Sequence, residues 1–279
     1  NFDAVFVGIG AHKGRSIRLD GEDAENVMTG AEFLNHANSG EEINIGKKVV
    51  VIGGGDTAID AARVARRMGA EAKILYRRTR TEMPAIDEEM TGAEEEGVAI
   101  ALLVAPAGII TEGNRATKMK FQRCELGEPD DSGRRRPVPI EGDFFEEEAD
   151  FFIPAISQEP SFEGLDEVGN PKDWVKADES MKVEGKDNIY AGGDVPSLWL
   201  VTGAIHQGRR AAETIHENFR NIERKAGTNP APIIPPDKVL AKFYEDKARA
   251  ERTEMEPAAR LAQPDAEIMA GLTREQTIE

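Results

Sequence analysis

The stretch VVVIGGGDTA, Val49–Ala58, decides how this chain is read. An apolar, β-branched run ends in glycines and passes straight into Asp56-Thr57-Ala58, the pattern of a buried strand turning sharply into a helix. Gly53, Gly55 and Ala58 satisfy the form G-x-G-x-x-G/A. In that form the first glycine makes the tight turn, the second lets backbone approach a pyrophosphate, and the third small residue packs helix on strand. The helix dipole and free N–H groups at Asp56 and Thr57 would then face the phosphates. Glycine-rich turns also serve simple packing, so the neighbours matter. Ala58, Ala61, Ala62, Ala65 and Met68 fall on one helical face, Gly69 is placed to stop the helix, and Ala72–Tyr76 supplies a second strand. Together they form a βαβ unit.

An NAD-type unit wants an acidic residue near the end of its second strand to hold the ribose hydroxyls. Here the sequence is Tyr76-Arg77-Arg78-Thr79-Arg80, with no carboxylate before Glu82. Guanidinium groups at Arg77 and Arg78 suit a 2′-phosphate through charge and bidentate geometry, which favours NADPH and leaves NADH as the alternative. The competing reading is a solvated basic turn pairing with acidic neighbours.

Outward from this unit, Ala4–Ile9 is a short buried strand ending in Gly10, and an amphipathic segment covers Ala31–Ala37. Pro84 and the acids after it suit a helix start, and Gly97 its stop. Val98–Val104 is a continuous apolar run, and Ile109–Leu126 reads as two strands around Gly113-Asn114. A polar loop through Asp130, Asp131 and Gly133 then leads to Phe151-Phe152-Ile153, giving a small antiparallel meander. Asn188–Ala191 is another strand, broken by Gly192-Gly193-Asp194, and Thr202–Phe219 is helical. NPAPIIPPD, Asn229–Asp237, is a proline-rich linker followed by a charged, helix-prone tail that packs on a neighbour or reaches beyond these residues.

The chain has 279 residues with 35 basic against 52 acidic side chains, a formal charge of −17. That balance disfavours nucleic acid or anionic membrane as a general partner. No stretch approaches the apolar length of a membrane span, and the first residues lack a signal peptide's basic start. The single cysteine, Cys124, excludes an internal disulfide, a CxxC pair and a cysteine-ligated iron–sulfur cluster within these residues, and a reducing, cytoplasmic setting fits.

The ordered set VFVGIGAHKG, ADFFIPAISQEP, IYAGGDV and TGAIHQGRRAA resembles the recurring segments of two-dinucleotide-binding-domain flavoproteins. With VVIGGGDTAIDAARVARRMGA, LYRRTRTEMPA and EEEGV, the chain is similar to the small, NADPH-oxidising subunit of bacterial glutamate synthase and its relatives over about residues 2 to 222. The resemblance implies an α/β fold in which a Rossmann-like NADPH-binding domain, residues 27–149, is inserted in a partial FAD-binding domain, residues 1–26 and 150–222. Residues 223–279 form the charged tail. It places the family's first glycine fingerprint upstream of Asn1, so the chain is expected to be part of a longer polypeptide. Gly193 and Asp194 match the family's GGD motif, where the aspartate meets the ribityl or pyrophosphate region of FAD. Gly203 and Ala204 open a helix whose positive end would face the flavin. Ser157, where the family has glycine, is a departure.

The implied activity is hydride transfer from NADPH to FAD, with electrons leaving to an iron–sulfur centre on another subunit or protein. The implied partner is a large glutamate-synthase-like subunit, a ferredoxin or another reductase. The cofactors hold the chemistry, so no catalytic side chain is named. His12, His36, His206 and His216 lack ligand spacing, and no metal residue is assigned. Glu94-Glu95-Glu96 and Glu146-Glu147-Glu148 read as solvated faces, Arg134-Arg135-Arg136 as a loop, and Cys124 as a quiet strand residue. Two rivals stay open: a flavin-independent dehydrogenase, for which no tyrosine stands four before a lysine, and an NADPH-binding module with no electron transfer of its own.

Overall fold

The computed structural model describes residues 2–131, 133–165, 168, 174–222, 234, 235, 238, 248 and 250–278. In chain order the elements are β1 (Val5–Val7), β2 (Lys13–Gly14), α1 (Gly30–Asn38), β3 (Lys48–Ile52), α2 (Asp56–Arg67), β4 (Glu71–Tyr76), α3 (Asp87–Glu95) and β5 (Ala99–Leu102). They continue as β6 (Val104–Glu112), β7 (Arg115–Pro129), β8 (Arg135–Glu148), β9 (Phe151–Pro154), β10 (Gln158–Glu159), β11 (Ile189–Ala191), α4 (Val201–Arg220), α5 (Pro257–Ala262) and α6 (Arg274–Ile278). The chain divides into two compact units, each assembled from separated segments. Among the described residues, no helix is long and apolar enough to cross a membrane.

One unit comprises His12–Glu159 and Met255–Ile268. Its centre is a parallel sheet in the order β5-β4-β3-β9. Alternation along each strand sends side chains to opposite faces. Val49, Val51, Ile74, Phe151 and Ile153 pack with Phe33 of α1, Ile59 and Ala62 of α2, and Met90 of α3. Val50, Ile52, Leu75 and Phe152 face the other way, onto Met119 and Phe121 of β7. The strands are therefore buried on both sides, which explains their unbroken apolar sequence. The second layer is the antiparallel meander β6-β7-β8.

The apolar run at Val98–Val104 is divided between these two sheets. Leu103 takes a left-handed conformation, φ 58°, at the corner between β5 and β6. Its carbonyl accepts a hydrogen bond from Cys124 N at 2.7 Å. The meander also has a longer third strand than the sequence reading provides, because Arg135 and Arg136 begin β8 instead of lying in a loop. Pro137 and Pro139 disguise it, and an edge strand tolerates both.

The main segment of this unit runs from His12 to Glu159. Strand β2 pairs with β10, and Val27 bridges to Phe152 beside β9. Buried Asn26 fastens this entry, donating through Nδ2 to the Ala116 and Asp150 carbonyls and accepting from Ala116 N, each at 2.8 Å. Part of the expected tail also belongs here: Met255–Ile268 includes Arg260, whose guanidinium lies 3.1 Å from Glu95 and 3.8 Å from Glu96.

Glu96 corrects the reading of its acidic run as a solvated face. Its side chain is fully buried, and it accepts from Arg63 Nη2 at 2.8 Å and Arg67 Nη2 at 2.9 Å. Burial alone would push its carboxyl pKa up, but the arginine hydrogen bonds and charges outweigh it and hold the group below the ordinary carboxylate value. Glu146 and Glu148 pair across the meander with Lys118, and Glu147 pairs with Lys73 of β4.

The other unit comprises Asn1–Ala11, Pro160–Glu254 and Met269–Glu279. Strand β1 pairs in parallel with β11, and a core of Val7, Phe162, Val175, Val183, Ala191 and Val195 forms around them. Of the proline-rich stretch, only Ile234 and Pro235 are among the described residues.

Candidate functional site

The glycine loop sits between β3 and α2 and is pinned from both sides. Gly53 donates to the Leu75 carbonyl at 3.1 Å, Ala155 N donates to the Ile52 carbonyl at 2.7 Å, and Ala85 N donates to the Gly54 carbonyl at 3.2 Å. Gly53 has φ 151°, and a Cβ there would lie 2.2 Å from the Ala155 carbonyl oxygen. A Cβ on Gly54 would meet the Tyr76 ring at 2.5 Å. The packing of the protein itself demands both of these glycines.

Gly55 differs. Its backbone is extended (φ −98°, ψ 176°), and a Cβ there would touch only Pro84 Cγ, at 3.7 Å. Neither conformation nor internal packing calls for glycine at this position, which directly precedes the first turn of α2. As N-cap, Gly55 offers no side-chain hydrogen bond, so the first-turn amides at Asp56 and Thr57 have no cap. Such an end favours an anion. Asp56 is occupied elsewhere, accepting from Ile86 N at 3.0 Å. Gln158 Nε2, 3.5 Å from Thr57 Oγ1, borders the same helix start. Composition did not single it out, because it comes from a segment about a hundred residues away in sequence.

The rim after β4 separates the two candidate arginines. Arg77 is exposed, and no salt bridge holds it among the described residues. Arg78 is only 4% exposed, donating through Nε to the Arg135 carbonyl at 2.7 Å and through Nη2 to Asp130 at 2.5 Å. Arg80 pairs with Glu94 at 2.6 Å. Glu82, the nearest acid, is turned into a capping box with Thr79. The Thr79 hydroxyl is the main reason its carboxyl pKa lies below the ordinary value. The carboxylate is thereby engaged, and the cationic group presented by this rim is Arg77.

In the other unit, Gly193 (φ 68°) follows β11 and donates to Gln207 Oε1 at 2.7 Å. Asp194 Oδ1 accepts from Trp199 N at 2.9 Å. A Cβ on Gly192 would stand 3.1 Å from both Phe6 and Gln207. The loop leads into α4, which begins at Val201 without a side-chain cap. Gly203 lies in its first turn with the Trp199 ring over it, since a Cβ there would be 2.7 Å from that ring, and Ala204 N donates to the Leu200 carbonyl. Among the described residues no group of three or more His, Cys, Asp or Glu side chains is placed to hold a metal.

Comparisons with known proteins identify the family and the fold. The profile of the pyridine nucleotide-disulphide oxidoreductase family matches residues 1–212. The NADPH-Fe(3+) oxidoreductase subunit beta of Geobacter sulfurreducens is 48% identical over 164 residues, 57% of this chain and 24% of that protein. The glutamate synthase [NADPH] small chain of Azospirillum brasilense is 37% identical over 234 residues, 76% of this chain and 48% of that one. The chain thus spans between a quarter and about half of these relatives' lengths. Among solved structures, Mycobacterium tuberculosis FprA in complex with NADPH superimposes with a TM-score of 0.61 at 17% identity, covering 79% of this chain and 64% of that one. That likeness fixes the fold as the two-dinucleotide-binding-domain architecture. No redox-active cysteine pair lies within these residues: Cys124 is the only cysteine, and burial pushes its thiol pKa up. The chain belongs to the pyridine nucleotide-disulphide oxidoreductase family of NAD(P)H-dependent oxidoreductases.

Proposed function

We propose that the chain is a pyridine-nucleotide:flavin oxidoreductase module that takes hydride from NADPH to FAD for onward electron transfer to an iron–sulfur partner or subunit. The observation that supports it most directly is Gly55, a glycine that the protein's own packing does not require, set before an uncapped helix start. The pyrophosphate of NADPH would rest against Gly53, Gly55 and the amides of Asp56 and Thr57, with the 2′-phosphate on the exposed Arg77. FAD would be met by Gly193 and Asp194 and by the first turn of α4 at Gly203 and Ala204. When bound, the two cofactors supply the hydride and electron chemistry. The residues of the chain bind and orient them. The partner reading draws on the relatives, one named a subunit beta and one a small chain; a large glutamate-synthase-like subunit, a ferredoxin or another iron–sulfur acceptor fits it.

Calorimetric titration of the 279-residue chain with NADPH and NADH tests the coenzyme assignment. Loss of one charge-assisted contact in Arg77→Ala should weaken NADPH by roughly ten- to a hundredfold and NADH by less than about twofold. Equal affinity for both coenzymes would remove the 2′-phosphate from Arg77. A dye-reduction assay after incubation with FAD then separates an electron-transferring module from one that only binds NADPH.

A further inference from the structure

Arg77 and Arg78 are adjacent in sequence but have opposite surroundings. The Arg78 side chain is 5% exposed, and its two acceptors stand on either side of the connection between β7 and β8. Asp130 directly follows β7 and Arg135 opens β8, so one planar guanidinium ties the two ends of the connecting turn. The Arg78 carbonyl is fixed as well, accepting from Leu103 N at 3.1 Å, at the corner where the chain leaves the parallel sheet. Two of the three guanidinium nitrogens, Nε and Nη2, are thereby turned onto the hairpin.

The neighbouring cations are also committed. Arg135 donates to the carbonyls of Gly127 and Leu126, at 3.1 and 2.6 Å, and Arg80 is held by Glu94. We propose that Arg78 is a positioning residue for 2′-phosphate recognition and not a phosphate ligand: it locks the β7–β8 hairpin against the end of β4 and so fixes the backbone that presents Arg77. The proposal rests on the NADPH reading above. It makes the hairpin part of the specificity apparatus, although the hairpin lies some fifty residues further along the chain.

Asp130 allows the two roles to be separated, because Asp130→Asn removes the charge from one of the two contacts and loosens the clip without changing residue 78. NADPH and NADH affinities are measured by calorimetry for the unsubstituted chain, Arg78→Ala, Arg78→Lys, Asp130→Asn and the Arg78→Ala/Asp130→Asn double variant. Thermal melting checks that each variant folds. If Arg78 positions, Arg78→Ala and Asp130→Asn each lower the NADPH-over-NADH preference by a similar factor, about three- to tenfold, and the double variant is no worse than either. Arg78→Lys does not rescue, since an ammonium cannot replace the fork. Simple loss of stability would weaken both coenzymes together and leave the preference unchanged.

If Asp130→Asn leaves NADPH binding intact or tightens it while Arg78→Ala loses it, Arg78 is a direct ligand and the proposal is overturned. The proposal also fails, with the coenzyme assignment standing, if neither variant alters the preference while Arg77→Ala does. No NADPH binding by the unsubstituted chain overturns the coenzyme reading and the proposal with it.

Discussion

The two glycine turns, Gly53–Gly55 before α2 and Gly192-Gly193 before α4, look alike in sequence but are built differently. In the first, two glycines are consumed by internal packing against Ala155 and Tyr76, and the third would tolerate a Cβ with only an ordinary contact to Pro84. In the second, Gly192 is hemmed in by Phe6 and Gln207, and the loop is closed on itself by Gln207 and Trp199. A glycine motif therefore mixes residues that serve the fold with residues that leave room for a ligand, and only the neighbours tell them apart.

Substitutions can break the comparison. The largest effect is expected from Gly53→Ala, where a positive φ and a backbone oxygen leave no relief: about 4 kcal/mol of stability should be lost in chemical denaturation. Gly55→Ala should cost less than about 1 kcal/mol of stability. It should nevertheless weaken NADPH roughly ten- to a hundredfold by calorimetry, because the new methyl stands where the phosphate approaches. If Gly55→Ala destabilises as much as Gly53→Ala, Gly55 also serves internal packing. Gly192→Ala meets the Phe6 ring, which can turn aside, and Gln207 Cβ, which is fixed to α4, and should cost about 1–2 kcal/mol on the same denaturation scale.

A smaller effect concerns the foot of β3. Asp150 accepts from Lys47 N at 2.7 Å and Lys48 N at 2.9 Å, and these bonds hold its carboxyl below the ordinary value. A depressed carboxyl contributes stability above its unfolded pKa, and that contribution is lost as pH falls through its folded value. Melting temperature followed from about pH 6 to pH 2 should therefore decline less steeply in Asp150→Asn. An unchanged slope would show that the clamp contributes nothing.

Local pattern was enough for the βαβ core: Val49–Ile52, the alanine face of α2 and Ala72–Tyr76 identify themselves by periodicity, and the structure has β3, α2 and β4 there. What escaped was set by distant partners. Glu96 reads as one more exposed acid until Arg63 and Arg67, about thirty residues earlier, fold over it. Arg78 reads like Arg77 until Asp130 and Arg135 arrive. Leu103 reads as the middle of a strand, because nothing in an apolar run announces a left-handed corner. At the candidate site, the glycine turn between β3 and α2 and the basic stretch after β4 are legible as local pattern, whereas Gln158 beside Thr57 and the different surroundings of Arg77 and Arg78 are not.

The arrangement of Arg260 on Glu95 and Glu96 has a consequence in time. Met255–Ile268 are made after the rest of their unit, with roughly a hundred residues intervening since Glu159. At ribosomal speeds of about 5–20 residues per second, the nascent unit waits about 5–20 s for its last arginine. During that interval Glu96 is served by α2 alone. The body of the unit must hold its shape before the closing segment emerges, and the final cationic contact is added to a scaffold already standing.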